Sequence, residues 1–236
     1  RRDPERPVHY EPDFEGRYTD MVSRMYATVE EMEDLSAGTG HNLRGSAGRS
    51  AVLAGRPMIL CEYRHAMGNG AGAVTDYEER FDTLPQWHGG FVWEWRDHGI
   101  RTTTPEGVEY FGYGGDFGEQ LHDGSFVCDG MVLSDGTPTT MLAEYAAVVT
   151  PIKLTVTDEE LGVENRRHDG DTGDLRILWR DELNGREVAS GEVHIRPVAP
   201  GELVCVELPA FHAPEAGELW RTVEAVTASD APWAQA

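Results

Sequence analysis

The chain has 236 residues, with 42 Asp and Glu against 20 Lys and Arg and a formal net charge of −22, which excludes an electrostatic partnership with nucleic acid or an anionic membrane surface. Hydrophobic residues make up 39% and there are six Trp, enough apolar mass for a buried core and too much for a disordered chain. No apolar run approaches the roughly 20 residues that span a bilayer and the opening residues are no signal peptide, while three widely spaced cysteines, Cys61, Cys128 and Cys205, fit neither a zinc cluster nor a disulfide scaffold and point to thiols in a reducing, cytoplasmic compartment.

Asp3-Pro4-Glu5-Arg6-Pro7 reads as a loop entered mid-domain, so the chain is expected to be a piece of a longer one. Short apolar runs follow at 8–10, 20–26, 57–63 and 89–95, and between the last two Val74, Tyr77, Phe81 and Leu84 stand at helical spacing. Strand, helix, strand is a βα unit, and several in succession predict a parallel sheet or barrel. Residues 30–50, acidic at the start and rich in Gly and Ser, read as an exposed excursion. Beyond Pro151 the texture changes to alternating segments at 152–157, 175–179, 188–195, 203–208 and 219–226, punctuated by Asn184-Gly185, a strong hairpin signal. This part reads as an antiparallel β-sandwich. The boundary falls near 146–151, giving domains at 1–148 and 149–236.

In a barrel-like first part, functional groups sit at the C-terminal ends of strands. Glu62 closes the apolar run Met58 to Cys61, and a carboxylate there can act as a nucleophile or an acid/base group. Position alone does not separate that role from an ion-paired surface carboxylate. Trp93 and Trp95 flank Glu94, so strand alternation sends both indoles to one face, as a sugar platform or as core. Tyr26 ends an earlier strand, where it is either a carboxylate partner or an amphipathic core residue.

The run Ile59-Leu60-Cys61-Glu62-Tyr63-Arg64-His65-Ala66-Met67-Gly68-Asn69 closely resembles the nucleophile signature of the long bacterial-type β-galactosidases of glycoside hydrolase family two. Gly89-Gly90-Phe91-Val92-Trp93-Glu94-Trp95-Arg96-Asp97 resembles the family's eighth barrel strand. Tyr113-Gly114-Gly115-Asp116-Phe117-Gly118-Glu119 and Phe126-Val127-Cys128-Asp129-Gly130-Met131-Val132 are similar to the loops that follow it. The resemblance covers nearly the whole chain. It implies an α/β plus all-β architecture, the C-terminal half of a (β/α)8 TIM barrel followed by an antiparallel β-sandwich.

By the same resemblance Glu62 is the nucleophile of a retaining β-galactosidase that forms a covalent galactosyl ester, and Tyr26 hydrogen-bonds it. His65 binds galactose hydroxyls and Trp93 floors the pocket. Phe126, through its main-chain carbonyl, and Asp129, through its side chain, hold Na⁺ against the 6-hydroxyl of the sugar, as oxygen donors suit a hard cation. The acid/base Glu and most Mg²⁺ ligands are implied to lie upstream, so no residue here is assigned to magnesium. A β-galactoside such as lactose, the rest of the full-length chain and further copies in a homo-oligomer are the implied partners.

Two features depart from the family pattern. Asp129 stands where the best-known members have Asn, adding a charge, and Arg64 replaces a small residue and reads as pointing out to the acidic surface. The acidic stretch 164–174 lacks the spacing of a calcium loop and reads as a solvated turn. Nineteen of the twenty basic residues are Arg, a bias that both a salt-rich habitat and a GC-rich genome produce. The competing readings are a catalytically inert assembly or carbohydrate-binding fragment, and a piece that regains activity only when its complement is added in trans.

Overall fold

Residues 58–63 are almost all apolar, the pattern of a strand covered on both faces, and they form the centre of a three-stranded parallel sheet. The computed structural model describes residues 3–11, 13, 17–38, 55–70, 72–157, 159–211 and 216–228. These divide into two compact units, Arg1–Val149 and Thr150–Ala236.

In the first unit β1 (Val22–Met25), β2 (Met58–Tyr63) and β3 (Trp87–Val92) lie side by side in that order, all parallel. Parallel neighbours need crossovers, and helices α1 (Val29–Ala37) and α2 (Val74–Thr83) lie in the two connections. The α1 helix is written into the sequence at both ends. At its start the Glu31 amide donates to the Thr28 hydroxyl while the Thr28 amide donates to the Glu31 carboxylate, a reciprocal capping box. At its end Gly38 takes a left-handed φ of 70° and its N–H closes onto the carbonyls of Asp34 and Leu35. The expected exposed excursion is thus corrected over its first part: residues 30–37 are helical and Met32 is fully buried. Residues 39–50 lie outside the described residues.

Val22, Ala27, Met32, Met58, Leu60, Tyr63 and Trp87 form the core, with Leu35, Tyr77, Phe81 and Leu84 packed against it. The Tyr63 ring meets Tyr77 and Phe81 edge-on at centroid distances of 5.3 and 5.7 Å, and its hydroxyl donates to Glu78. Gly90 lets β3 approach, since a Cβ there would stand 3.0 Å from both the Leu60 Cβ and the Tyr63 ring. After β3 come a hairpin of β4 (Ile100–Thr103) and β5 (Glu109–Gly112), a 3-10 turn at Gly124–Val127, and α3 (Thr140–Val148).

The second unit holds two antiparallel sheets. One has β7 (Glu160–Asn165) between β10 (Leu203–Glu207) and β6 (Ile152–Val156). The other has β8 (Leu175–Leu183) between β11 (Leu219–Thr227) and β9 (Arg186–Val193). Both contribute to one core: Ile152, Leu161 and Val163 from the first, Ile177 from the second, with Val198 and Leu208. Asn184 and Gly185, at φ 50° and 75°, turn β8 into β9, as a two-residue hairpin requires.

The 164–174 turn is held from within. Asn165 Nδ2 donates to the carbonyls of Gly170 and Val198, and Arg167 makes a two-pronged bond to Asp174. Among the described residues no helix is long and apolar enough to cross a membrane.

Candidate active site

The C-terminal ends of the three parallel strands carry the candidate residues, and a register slip aims them. Arg24 faces Leu60 but Met25 faces Glu62, so Cys61 is an extra residue in β2. Such a bulge re-aims the side chains beside it. Immediately beyond, Tyr26 turns with a left-handed φ of 52°, and its amide donates to the Glu62 carbonyl at 2.8 Å. The Tyr26 phenol stands beside the half-buried Glu62 carboxylate, near enough for that charge to act on it. Burial, then the negative charges of Glu62 and Asp129, push the Tyr26 phenol far above the usual tyrosine range. It therefore stays protonated, and able to donate, at every pH an assay would use.

The neighbouring strand end supplies the other wall. The Trp93 amide donates to the Tyr63 carbonyl at 3.0 Å and the Ala66 amide to the Trp93 carbonyl at 2.7 Å, locking the segment after β2 to the end of β3. The Trp93 indole Nε1 donates to Asp129 Oδ2 at 2.9 Å. His65 Nε2 lies 3.6 Å from that same oxygen, and its ring stands 6.2 Å from Tyr26 and 5.3 Å from Phe126, centroid to centroid. Glu62, Tyr26, His65, Trp93, Phe126 and Asp129 thus form one connected group. Phe126 is the most open, at 56% exposure, and Asp129 the most enclosed, at 2%.

Two atoms in this group are buried without a hydrogen-bond partner, His65 Nε2 and Asp129 Oδ1. An orphaned carboxylate oxygen at 2% exposure is costly unless something completes it, so the donor set fits a small hard cation there. Among the described residues no cluster of three or more His, Cys, Asp or Glu is arranged to hold a metal; any cation at Asp129 takes its remaining oxygens from backbone, substrate or solvent.

Two sequence expectations are corrected. Trp93 and Trp95 do not share a strand face, because β3 ends at Val92. Trp93 turns to Asp129, while Trp95 is 62% exposed. Arg64 does not point out to the surface; it is 6% exposed and its guanidinium donates to the Gly72 carbonyl.

Glu94, His98, Asp97 and Gly130 also belong to the site. Glu94 lies 2.9 Å from His98 Nε2, and its carboxylate stands near that of Asp129. Desolvation first, with the Asp129 carboxylate adding to it, raises the Glu94 pKa against the opposing charge of His98. The Glu94 amide donates to the Asp129 carbonyl and the Gly130 amide to Asp97, both across more than thirty residues of sequence. The sequence cues were a carboxylate between two tryptophans and the resemblance of the 89–97 and 126–132 runs; apart from Glu94 with His98, the contacts themselves are long-range.

A Cβ at Gly130 would lie 2.2 to 2.5 Å from backbone atoms of Arg96 and Asp97. Gly130→Ala is expected to cost about 1–3 kcal/mol, the range for overpacking, and to displace Asp129 from Trp93. Denaturant titration and indole fluorescence are the measurements, and an unchanged midpoint would contradict the close approach.

Known proteins were compared with this chain. The family model described as "Glycosyl hydrolases family 2, TIM barrel domain" matches residues 1–154, and that described as "Beta-galactosidase, domain 4" matches residues 161–236. A beta-galactosidase of Arthrobacter sp. (strain B7) is 48% identical over 246 aligned residues, covering 100% of this chain and 24% of that protein. A beta-galactosidase of Kluyveromyces lactis is 38% identical, covering 79% of this chain and 18% of that protein. The chain therefore spans about a quarter or less of the length of these relatives.

Proposed function

From the premise that this chain belongs to glycosyl hydrolase family 2, we propose that it is part of a retaining β-galactosidase in which Glu62 is the nucleophile. The observation that carries this reading is Glu62 at a parallel-strand end, its carbonyl held by the Tyr26 amide and its carboxylate beside the Tyr26 phenol and the His65, Trp93 and Asp129 group. The family membership and the two β-galactosidase relatives support the substrate class.

In the first step a Glu62 oxygen bonds to the anomeric carbon as the bond to the leaving oxygen breaks, and an acid gives that oxygen its proton. In the second, water bonds to the anomeric carbon, the ester to Glu62 breaks, and the acid's conjugate base takes the water proton. The acid/base carboxylate is proposed to come from outside these residues. Tyr26 donates to whichever Glu62 oxygen carries charge, holding it for attack and stabilising it on departure. His65 presents its unpartnered Nε2 to sugar hydroxyls, and Trp93 gives the ring an apolar wall. Asp129 and the Phe126 carbonyl would hold a sodium ion, which supplies a fixed positive charge for a sugar hydroxyl.

The first unit is then the C-terminal half of a (β/α)8 barrel and the second a β-sandwich, with lactose-like galactosides as substrates, a longer chain around both and further copies as partners. The test is hydrolysis of a nitrophenyl β-galactoside beside the matching glucuronide by the full-length protein, with the anomer followed by proton NMR. Galactose released first as the β-anomer is the expected result; first release as the α-anomer, or preference for the glucuronide, would sink the reading. Tyr26→Phe is expected to lower kcat/KM by about ten- to a hundredfold, the loss of one hydrogen bond to a charged group. Because the phenol is pushed upward, the basic limb of the wild-type pH profile should be the same in Tyr26→Phe. A limb that disappears in the variant would show that Tyr26 ionises.

A further inference from the structure

We propose that Arg64 is a positioning residue: folded inward beneath the turn after β2, it closes the 64–72 loop and so sets His65 against Asp129 and Tyr26. What His65 does with substrate rests on the reading above; the strut itself rests on the structure. Arg64 takes a left-handed φ of 57°, which turns the chain sharply just past Tyr63 and carries the side chain inward, to 6% exposure. Its Nη1 donates to the carbonyl of Gly72, at the far end of the loop and next to the start of α2. Within the loop, Gly70 closes onto the Met67 carbonyl at 3.0 Å and Ala66 onto Trp93 at 2.7 Å. Neither of those bonds joins the two ends. The guanidinium does, and His65 is the residue next to the anchored one.

A role in stability alone is a poor account of this side chain. Its Nε and Nη2 are buried without partners, and burial weighs against its charge more than the nearby Glu144 of α3 supports it. Unsatisfied buried donors cost free energy that an apolar side chain of similar length would not. What an apolar replacement would lose is the bond to Gly72. Stability and function should therefore separate at this position.

The test compares the full-length wild type with Arg64→Met and Arg64→Lys by thermal unfolding, by hydrogen exchange of the 65–70 amides, and by kinetics on a nitrophenyl β-galactoside. In Arg64→Met the unfolding midpoint is expected at or above that of the wild type. Exchange at 65–70 should be about tenfold faster, and KM should rise about tenfold with a smaller change in kcat, because His65 holds the sugar rather than the reacting bond. Lysine, which still reaches Gly72 with a single donor, should recover part of both. Unchanged exchange at 65–70 overturns the proposal whatever the kinetics show. A midpoint and an activity that fall together, unrelieved in Arg64→Lys, also overturn it, since that is scaffolding alone. If the wild type turns over no galactoside, the functional reading fails, while the exchange data still decide whether Arg64 holds the loop.

Discussion

Glu62→Gln is expected to lower β-galactoside turnover by roughly 10⁴-fold or more, the scale on which removal of a nucleophilic group is felt. The exchange is nearly isosteric, so the Tyr26 phenol still faces a side-chain oxygen and the bond from the Tyr26 amide to the residue 62 carbonyl is untouched. What is lost is the anionic oxygen able to bond to the anomeric carbon. Glu62→Ala supplies the complementary result. It opens room for a small anion on the face the carboxylate occupied, and azide should restore turnover and yield an α-galactosyl azide, the product of a single displacement. Initial rates with and without azide, together with NMR of the product, make the measurement. A glutamine variant within tenfold of wild type would remove Glu62 from the chemistry.

The second large effect concerns stability. Arg221 on β11 and Asp181 on β8 are both 2% exposed at their side chains and face each other as a pair of parallel bonds, each 2.6 Å. The guanidinium also donates to the Pro209 carbonyl and lies over the rings of Phe211 and Trp179, at 4.1 and 5.1 Å from their centroids. Asp181→Ala strands the guanidinium without its counter-charge, which is expected to cost about 3–5 kcal/mol. Replacing both partners with Leu and Met should cost far less, because no buried charge remains. Hydrogen exchange of the β8 and β11 amides in the intact protein reads both variants. Equal protection in wild type and Asp181→Ala would mean that the pair contributes nothing.

Features set by neighbours in sequence were legible from it. The helix carrying Val74, Tyr77 and Phe81 and the Asn184-Gly185 hairpin follow from residues a few positions apart, whereas α1 was read as exposed loop although its Thr28 capping box is equally local. The continuous apolar run of β2 announced a buried parallel strand. β7 was missed because its segment, Glu160–Asn165, has a glycine and two carboxylates and reads as turn; only its place between β6 and β10 makes it a strand. The helix Thr140–Val148 was missed as well, for it lacks a side-chain cap and its apolar residues show no clear stripe.

The six candidate residues were named through their resemblance to a known motif, and the structure brings them into one neighbourhood. What could not be read were contacts between distant residues: Glu94 with Asp129, and Arg64 with Gly72. A charged residue in an acidic chain reads as surface. The left-handed turn that takes Arg64 inside is a property of the backbone.

The slip between β1 and β2 also bears on which heritable changes this protein can tolerate. Tyr26 meets Glu62 twice, its amide bonded to the Glu62 carbonyl and its phenol beside the carboxylate, and both meetings follow from the offset that Cys61 introduces. An in-frame loss or gain of one codon within 22–25 or 58–61 would move phenol and carboxylate apart while leaving every functional residue encoded. Lineages should therefore accept length changes in the crossovers on the helical side of the sheet far more readily than in these two short strands. A gene carrying such a change would still look intact to anyone inspecting only the motif around Glu62.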